Sequence, residues 1–398
     1  MKKICIICFF DDYRHKRIRS ILYRNQKHIN LLKRYRDSID KMLSLKSEFC
    51  KRHTLYKNKP YINQVEYTLK NNKIKINEFM DELISSYQTF IHGKHILAYQ
   101  NLKLAFDKID LLNQAYDHNN SNNCIFFRAR KKKKGKFYFK EDLFHIKFSK
   151  IELVGNQRYS STGQPFLYLG RSLLNIKEEL EIEKKYAQFV YTCYIIKDWK
   201  NFKYFRLYNT FEHRFYSYRM NKFEEDIQRN EKDSDTLKAI FKFLLSQFCS
   251  FKKRKKGTFI EEYVLPQLIV EYVKENNFKG IMYKSTKLFR DIEASDHMYN
   301  LVLFTNYSSD ENIDFDDFLE KNFVFSDPQN YNKSNQIKLS NLNSNIKQKK
   351  PDFNKYIDII AYHDSQYLNL KINSRINFGN TPFGKFQHHL INETLKIL

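Results

Sequence analysis

The stretch from Pro165 to Leu180, Pro-Phe-Leu-Tyr-Leu-Gly-Arg-Ser-Leu-Leu-Asn-Ile-Lys-Glu-Glu-Leu, limits the fold of this 398-residue chain more than any other. Phe166 to Leu169 is an apolar and aromatic run of strand length, Gly170 permits a sharp exit, and Ser172 stands where a helix cap belongs. On the helix that follows, Leu173, Ile176 and Leu180 are spaced three and four apart and mark a buried stripe. At about 100° per residue, Glu179 lies on the margin of that stripe and Glu178 points nearly opposite, toward solvent. The unit is therefore a strand, a turn and a helix with one carboxylate aimed inward. Glu179 is either a surface residue beside the core or an acid at the mouth of a pocket, and periodicity leaves both open.

A chain of this length holds two or three domains, and 42% hydrophobic residues with 35 Phe and 28 Tyr exclude a disordered protein. The formal charge of +25 favours polyanionic partners: nucleic acid, phosphorylated ligands or an anionic surface. The alternative is that a Lys-, Asn-, Ile- and Tyr-rich composition spreads basic groups over every surface without a functional patch. Lys2-Lys3 and the apolar run Ile4 to Phe10 resemble a secretory leader, but the run ends at Asp11-Asp12 with no small-residue cleavage site. No apolar run approaches the roughly 20 residues of a membrane span, and the scattered cysteines make no disulfide framework. A cytoplasmic location without membrane association is expected.

Helical spacing from Asp12 to about Tyr116, broken once near Lys59-Pro60-Tyr61, predicts an all-helical N-terminal domain over residues 1–120, ended by the polar hinge Asp117 to Asn123. Residues 121–326 read as a second domain. Within it, strands are expected at Tyr186 to Ile196, Phe202 to Tyr208, Ile281 to Tyr283 and Tyr299 to Phe304, and a helix from Asp235 to Phe251. A further helix from Phe259 to Lys274 has a capping box in Thr258 and Glu261, a kink at Pro266 and a stop at Gly280. The acidic segment Asp310 to Glu320 lacks the pattern of a calcium loop and reads as a solvated face. Residues 327–398 are expected to be a linker and a C-terminal extension ending in a helix.

Cys5-x-x-Cys8 has the spacing of half a zinc knuckle, and Cys50-x-x-His53 could supply the other half. Two buried thiols explain Cys5 and Cys8 without metal, and no metal is expected. Basic clusters at Arg130 to Lys136 and Lys252 to Lys256 are candidate nucleic-acid contacts on charge alone, since no aromatics interleave them. Arg158 beside Tyr159, in a polar loop ending at Gly163, suits an anionic or aromatic ligand, or is a loop arginine in water. His145 reads as a satisfied core histidine. Ser285-Thr286, at a strand end, reads alone as a turn.

Taken together, Phe127-Arg128, Leu143-Phe-His-Ile146, Arg158-Tyr-Ser160, Leu167-Tyr-Leu-Gly170 with Glu179 eleven residues after Tyr168, Leu265-Pro-Gln-Leu268 and Gly280-Ile-Met-Tyr-Lys-Ser285 resemble, in that order, the RES-domain family. Gln157, Ser160 and Lys147 depart from the residues common in the family at those positions. The resemblance spans roughly residues 124 to 307. It implies an α/β (α+β) fold with a mixed sheet similar to ADP-ribosyltransferases, here preceded by the helical domain. It further implies an NAD-degrading enzyme with NAD as substrate, a glycohydrolase or phosphorylase or an enzyme that transfers ADP-ribose to a protein side chain, and, as in several relatives, a toxin paired with an antitoxin protein. Carried over by position, Arg128, Glu179 and Ser285 are the catalytic candidates, and Arg158, Tyr159 and Tyr168 the pocket-lining ones. A basic nucleic-acid-binding protein and a catalytically silent interaction module are the alternatives.

Overall fold

A computed structural model describes residues 3–22, 26–50, 59–112, 124–182, 186–198, 202–211, 233–254, 257–287, 299–310, 312–332, 367–370 and 374–397. The chain begins with β1 (Lys3–Ile4), α1 (Ile6–Phe9), α2 (Asp12–Leu22), α3 (His28–Leu43), β2 (Lys46–Ser47), α4 (Lys59–Asn71), α5 (Lys73–Ile91) and α6 (His95–Lys108). There follow β3 (Ile125–Lys131), β4 (Leu167–Gly170), α7 (Leu173–Glu179), β5 (Phe189–Ile196), β6 (Phe205–Leu207), α8 (Asp233–Phe248) and α9 (Val264–Glu275). The remainder holds β7 (Gly280–Lys284), β8 (Tyr299–Leu303), α10 (Asp317–Asn322), β9 (Phe323–Phe325), β10 (Gln329–Asn330), the hairpin β11 (Tyr367–Leu370) and β12 (Ser374–Asn377), and α11 (Pro382–Leu395). This is an α+β fold with a helical N-terminal region and ladders of both senses, β1 with β2 parallel and the ladders around β5, β3, β4, β8 and β7 antiparallel.

The chain divides into two compact units, and neither is one run of sequence. A helical unit comprises 1–117, 157–159 and 206–276, and a sheet unit comprises 118–156, 160–205 and 277–398. The division passes through β6. The polar run expected to act as a hinge lies outside the described residues.

In the helical unit, α3 buries Leu31, Leu32, Tyr35, Ile39 and Met42, and α5 buries Phe79, Met80, Leu83, Ile84 and Tyr87, the stripes that helical spacing marks. Residues 206–276 join this unit because α8 buries Ile240, Phe241, Phe243, Leu244, Leu245 and Phe248, too wide an apolar surface to leave on one face in water. Two expectations for the next helix are corrected. It begins at Val264, after a 3-10 turn at Glu261–Tyr263, so Pro266 falls in its first turn, where a missing N–H breaks no helical bond and produces no kink. The helix ends at Glu275, with Asn277 in the left-handed region, and Gly280 is instead the first residue of β7. A Cβ there would meet the Val302 carbonyl oxygen at 2.4 Å, so only glycine fits that strand position.

The sheet runs β10, β5, β3, β4, β8, β7, with β9 also paired to β5. Every residue of β5 is buried, which is why it reads as a continuous apolar run rather than an alternation. Register sorts side chains between two faces, because directly paired residues project together and their neighbours project oppositely. Phe127 pairs with Cys193 and Gly170, Gly170 with Asn300, and Asn300 with Tyr283, giving the first face. Arg128 pairs with Thr192, and Leu169 with Leu301 and Leu301 with Met282, giving the second.

Helices α7 and α11 cover the first face. Ile176 packs so closely over Gly170 that a Cβ there would lie 2.7 Å from its Cδ1. Tyr191 meets the ring of Phe386 edge-on, and the Thr394 hydroxyl reaches the Cys193 carbonyl oxygen at 3.4 Å. The expected C-terminal extension is thus part of the core, and within the expected linker Gln329 and Asn330 pair with β5; residues 333–366 lie outside the described residues. The acidic segment also differs from a solvated face. Asp316 is buried, caps α10 by accepting from the Leu319 amide at 2.8 Å, and accepts from the Asn306 amide at 2.7 Å.

Candidate functional site

Glu179 closes α7, and a relay of buried amides fixes its carboxylate. The Ser172 hydroxyl caps the helix as expected, accepting from the Asn175 amide at 3.0 Å, a contact worth about 1 kcal/mol. The Asn175 side-chain amide then donates to the Tyr299 carbonyl at 2.6 Å and to Asn300 Oδ1 at 2.7 Å. Asn300 Nδ2 in turn donates to Glu179 Oε1 at 2.6 Å, a charge-assisted bond. Helix cap, strand β8 and carboxylate are thereby locked in one orientation.

The helical phase needs two corrections. Leu180 is the C-cap and is 42% exposed, so the buried stripe ends at Ile176. Glu178 does not stand free in solvent: its side chain is 14% exposed and lies 3.4 Å from Lys177 Nζ. The helix is short, and Glu181 turns left-handed at φ 52°, so ideal periodicity fails within one turn of these residues.

Ser285 is buried just beyond β7, and its hydroxyl accepts from the Lys287 amide at 3.1 Å, the turn role expected of it alone. The Lys287 ammonium donates to the Glu179 carbonyl at 2.6 Å and to Glu181 Oε1 at 3.0 Å. One lysine therefore ties the neighbourhoods of Glu179 and Ser285 together. Tyr168 shares the first face by register with Val302, and its hydroxyl lies 3.1 Å from that of the buried Ser160. Asn175, Asn300 and Lys287 escaped sequence reasoning. The one available signal was an asparagine inside the apolar run Tyr299 to Leu303, since a buried polar side chain requires partners.

Arg128 projects from the second face, beside Tyr194 and His145. Its Nη1 is buried with no hydrogen-bond partner among the described residues. Burial lowers the guanidinium pKa, Tyr194 opposes that shift, and Arg130 adds to it. His145 is the satisfied histidine that its apolar flanks suggest. Its Nε2 accepts from the Asp316 amide at 2.9 Å and its Nδ1 donates to the Ile146 carbonyl at 2.8 Å, which defines the neutral tautomer; burial brings its pKa down to about 4.

Arg158 and Tyr159 belong to the helical unit. There Arg158 donates to the carbonyls of Cys249 and Phe251 at 2.6 and 3.0 Å, just past the end of α8, and lies over the Tyr263 ring. Its guanidinium thus satisfies two carbonyls that follow the helix and is not simply a loop arginine in water. Tyr159 is buried. In the basic clusters, Arg254 is held by Glu261 and Glu262 at 2.8 and 2.7 Å, while Lys255 and Lys256 lie outside the described residues. Arg130 donates to the Asp142 carbonyl and Lys136 pairs with the Asp142 carboxylate.

Among the described residues, no helix is long and apolar enough to cross a membrane. No family model and no solved structure matches the chain. It is similar to a protein of Bacillus subtilis (strain 168) named "Putative toxin YopC", with 26% identity over 251 residues, which is 59% of this chain and 53% of that protein. The chain thus spans about half the length of the curated relative it matches.

Proposed function

We propose that the sheet unit cleaves the nicotinamide–ribose bond of NAD with Glu179 as the catalytic carboxylate, and that the chain acts as a toxin through the resulting loss of NAD. The observation that carries this is the relay from Ser172 through Asn175 and Asn300 to Glu179, which holds the carboxylate in place before any substrate arrives. As the glycosidic bond breaks, its electron pair leaves with nicotinamide and positive charge grows on the ribose. A carboxylate already oriented toward that charge stabilises the transition state without reorganising. An acceptor, water or phosphate, then bonds to the anomeric carbon and releases a proton to solvent. Tyr168 and Ser285 would orient the nicotinamide ribose from the same face. Arg128, on the other face, takes no part in bond cleavage in this scheme. The similarity to a protein named as a toxin supports the cellular role, and a neutralising partner protein goes with it.

Purified full-length chain is incubated with NAD, with and without phosphate, and nicotinamide is measured by chromatography. Release that is lost in Glu179→Gln, together with falling cellular NAD and arrested growth on induced expression, is the expected result. A folded chain that leaves NAD intact in vitro and in the expressing cell overturns the proposal.

A further inference from the structure

The helical unit contains a cluster of thiols that the NAD chemistry does not use. The Sγ atoms of Cys5, Cys8 and Cys50 all lie within 4.8 Å of one another, and Cys8 and Cys50 are 3.8 Å apart. Sequence spacing pairs Cys5 with Cys8 but leaves Cys50 remote. Backbone pairing closes that gap: β1 lies parallel to β2 with Lys3 opposite Lys46 and Ile4 opposite Ser47, and the Glu48 amide donates to the Ile4 carbonyl at 2.8 Å. Cys5 leaves the end of β1 and Cys50 follows the end of β2, so the ladder delivers them side by side. The turn of α1 does the rest. The Phe9 amide donates to the Cys5 carbonyl at 3.0 Å, and residues three apart on such a turn share a face, which sets Cys8 beside Cys5.

We propose that Cys5, Cys8 and Cys50 bind a thiophilic divalent cation, zinc, as three thiolate ligands of a tetrahedral structural site that staples the N-terminal segment to the chain after β2. Zinc–thiolate bonds of about 2.3 Å set tetrahedral S···S edges of about 3.8 Å. The Cys8–Cys50 separation matches that edge and is far longer than the ~2.05 Å of a disulfide. Cys5 is buried, whereas Cys8 and Cys50 are half-buried, which leaves the metal a path from solvent. The fourth tetrahedral position belongs to a ligand outside these three. A staple is physically useful here because each strand of the ladder is two residues long and has little stability of its own. His53, which the CxxH spacing suggested, lies outside the described residues and is no part of the proposal.

The test is metal analysis of the full chain purified under reducing conditions without chelator, with cobalt(II) exchange as an independent measurement. About one zinc per chain is expected, released on titration of the thiols, with a thiolate-to-cobalt charge-transfer band after exchange. Cys5→Ser, Cys8→Ser and Cys50→Ser should each lower zinc content about tenfold and weaken the cobalt band, while Cys193→Ser and Cys249→Ser, remote in sequence, retain both. Chelation should lower Tm by more than about 5 °C in the parent chain and by much less in the Cys50→Ser variant. If the parent chain carries no zinc after growth in zinc-replete medium and shows no thiolate–cobalt band, the site does not exist. An intact mass two hydrogens short under non-reducing conditions, with no metal, would make the pair a disulfide and overturn the proposal equally. Equal zinc loss from the Cys249→Ser control would place the metal elsewhere.

Discussion

The two faces of the sheet hold their charged groups differently. On the first face, hydrogen bonds link Ser172, Asn175, Asn300 and Glu179 in series beneath α7 and the C-terminal helix α11, although Asn175 Oδ1 is buried with no partner among the described residues. On the second, Arg128 is enclosed among Tyr194 and His145 but keeps a buried N–H with no partner among the described residues. A buried donor left unpaired costs about 1–3 kcal/mol, so a chain retains one where something else repays the loss. The contrast separates a carboxylate held by a relay on the first face from a guanidinium with a buried, unpaired donor on the second.

The sharpest test of the first face is the pair of neighbouring acids. Glu179→Gln is near-isosteric and should lower kcat for NAD cleavage by about 10²-fold or more with Tm nearly unchanged, because it removes one preorganised charge. Glu178→Gln should stay within a few-fold, since the relay ends on Glu179. Nicotinamide release and thermal melting measured on both variants would break the assignment if the effects were reversed. Next comes the cover of that face. A Cβ on Gly384 would meet the Phe378 carbonyl oxygen at 1.9 Å, so Gly384→Ala should dislodge α11 and cost about 3 kcal/mol, read by denaturant unfolding. An unchanged midpoint would mean that α11 contributes nothing to the sheet's stability.

For the second face the expected effects are smaller. Arg128→Met should leave both KM and kcat for NAD within a few-fold, because the guanidinium lies on the face away from Glu179, and should not lower Tm, because it removes a buried donor that has no partner among the described residues. If kcat fell as far as in Glu179→Gln, the two faces would serve one catalytic centre and the separation would be wrong. The smallest effect is on pH. His145 is neutral in the fold, with its pKa lowered from 6.5 to about 4. Its contribution to stability is therefore complete above pH ~6.5 and is lost as pH falls toward and through 4, since the unfolded state takes up the proton first. Tm followed across that range should fall by a few degrees more in the parent chain than in His145→Gln. His15 also has a lowered pKa, of about 4, but lies in the helical unit and is untouched by the substitution.

What the sequence by itself determined is what short-range geometry dictates. Helical spacing located the stripes of α3 and α5, a serine before an apolar run located the cap of α7, and an unbroken apolar run located β5, because each depends on residues within a turn or two of one another. The strand-turn-helix around Glu179 was legible for the same reason, although the phase of its last turn was not. Tertiary structure alone decided which groups meet. Asn300 reaches Glu179 across 121 residues and Lys287 reaches it across 108, so no local spacing could announce either bond. Alternation shows that Arg128 and Phe127 face opposite ways, but only the register of β3 against β4 and β5 decides which of them shares a face with Asn300. The apolar surface of α8 was visible in the sequence, yet its place in the helical unit follows from which complementary surface it buries against, a property of the folded chain and not of any segment.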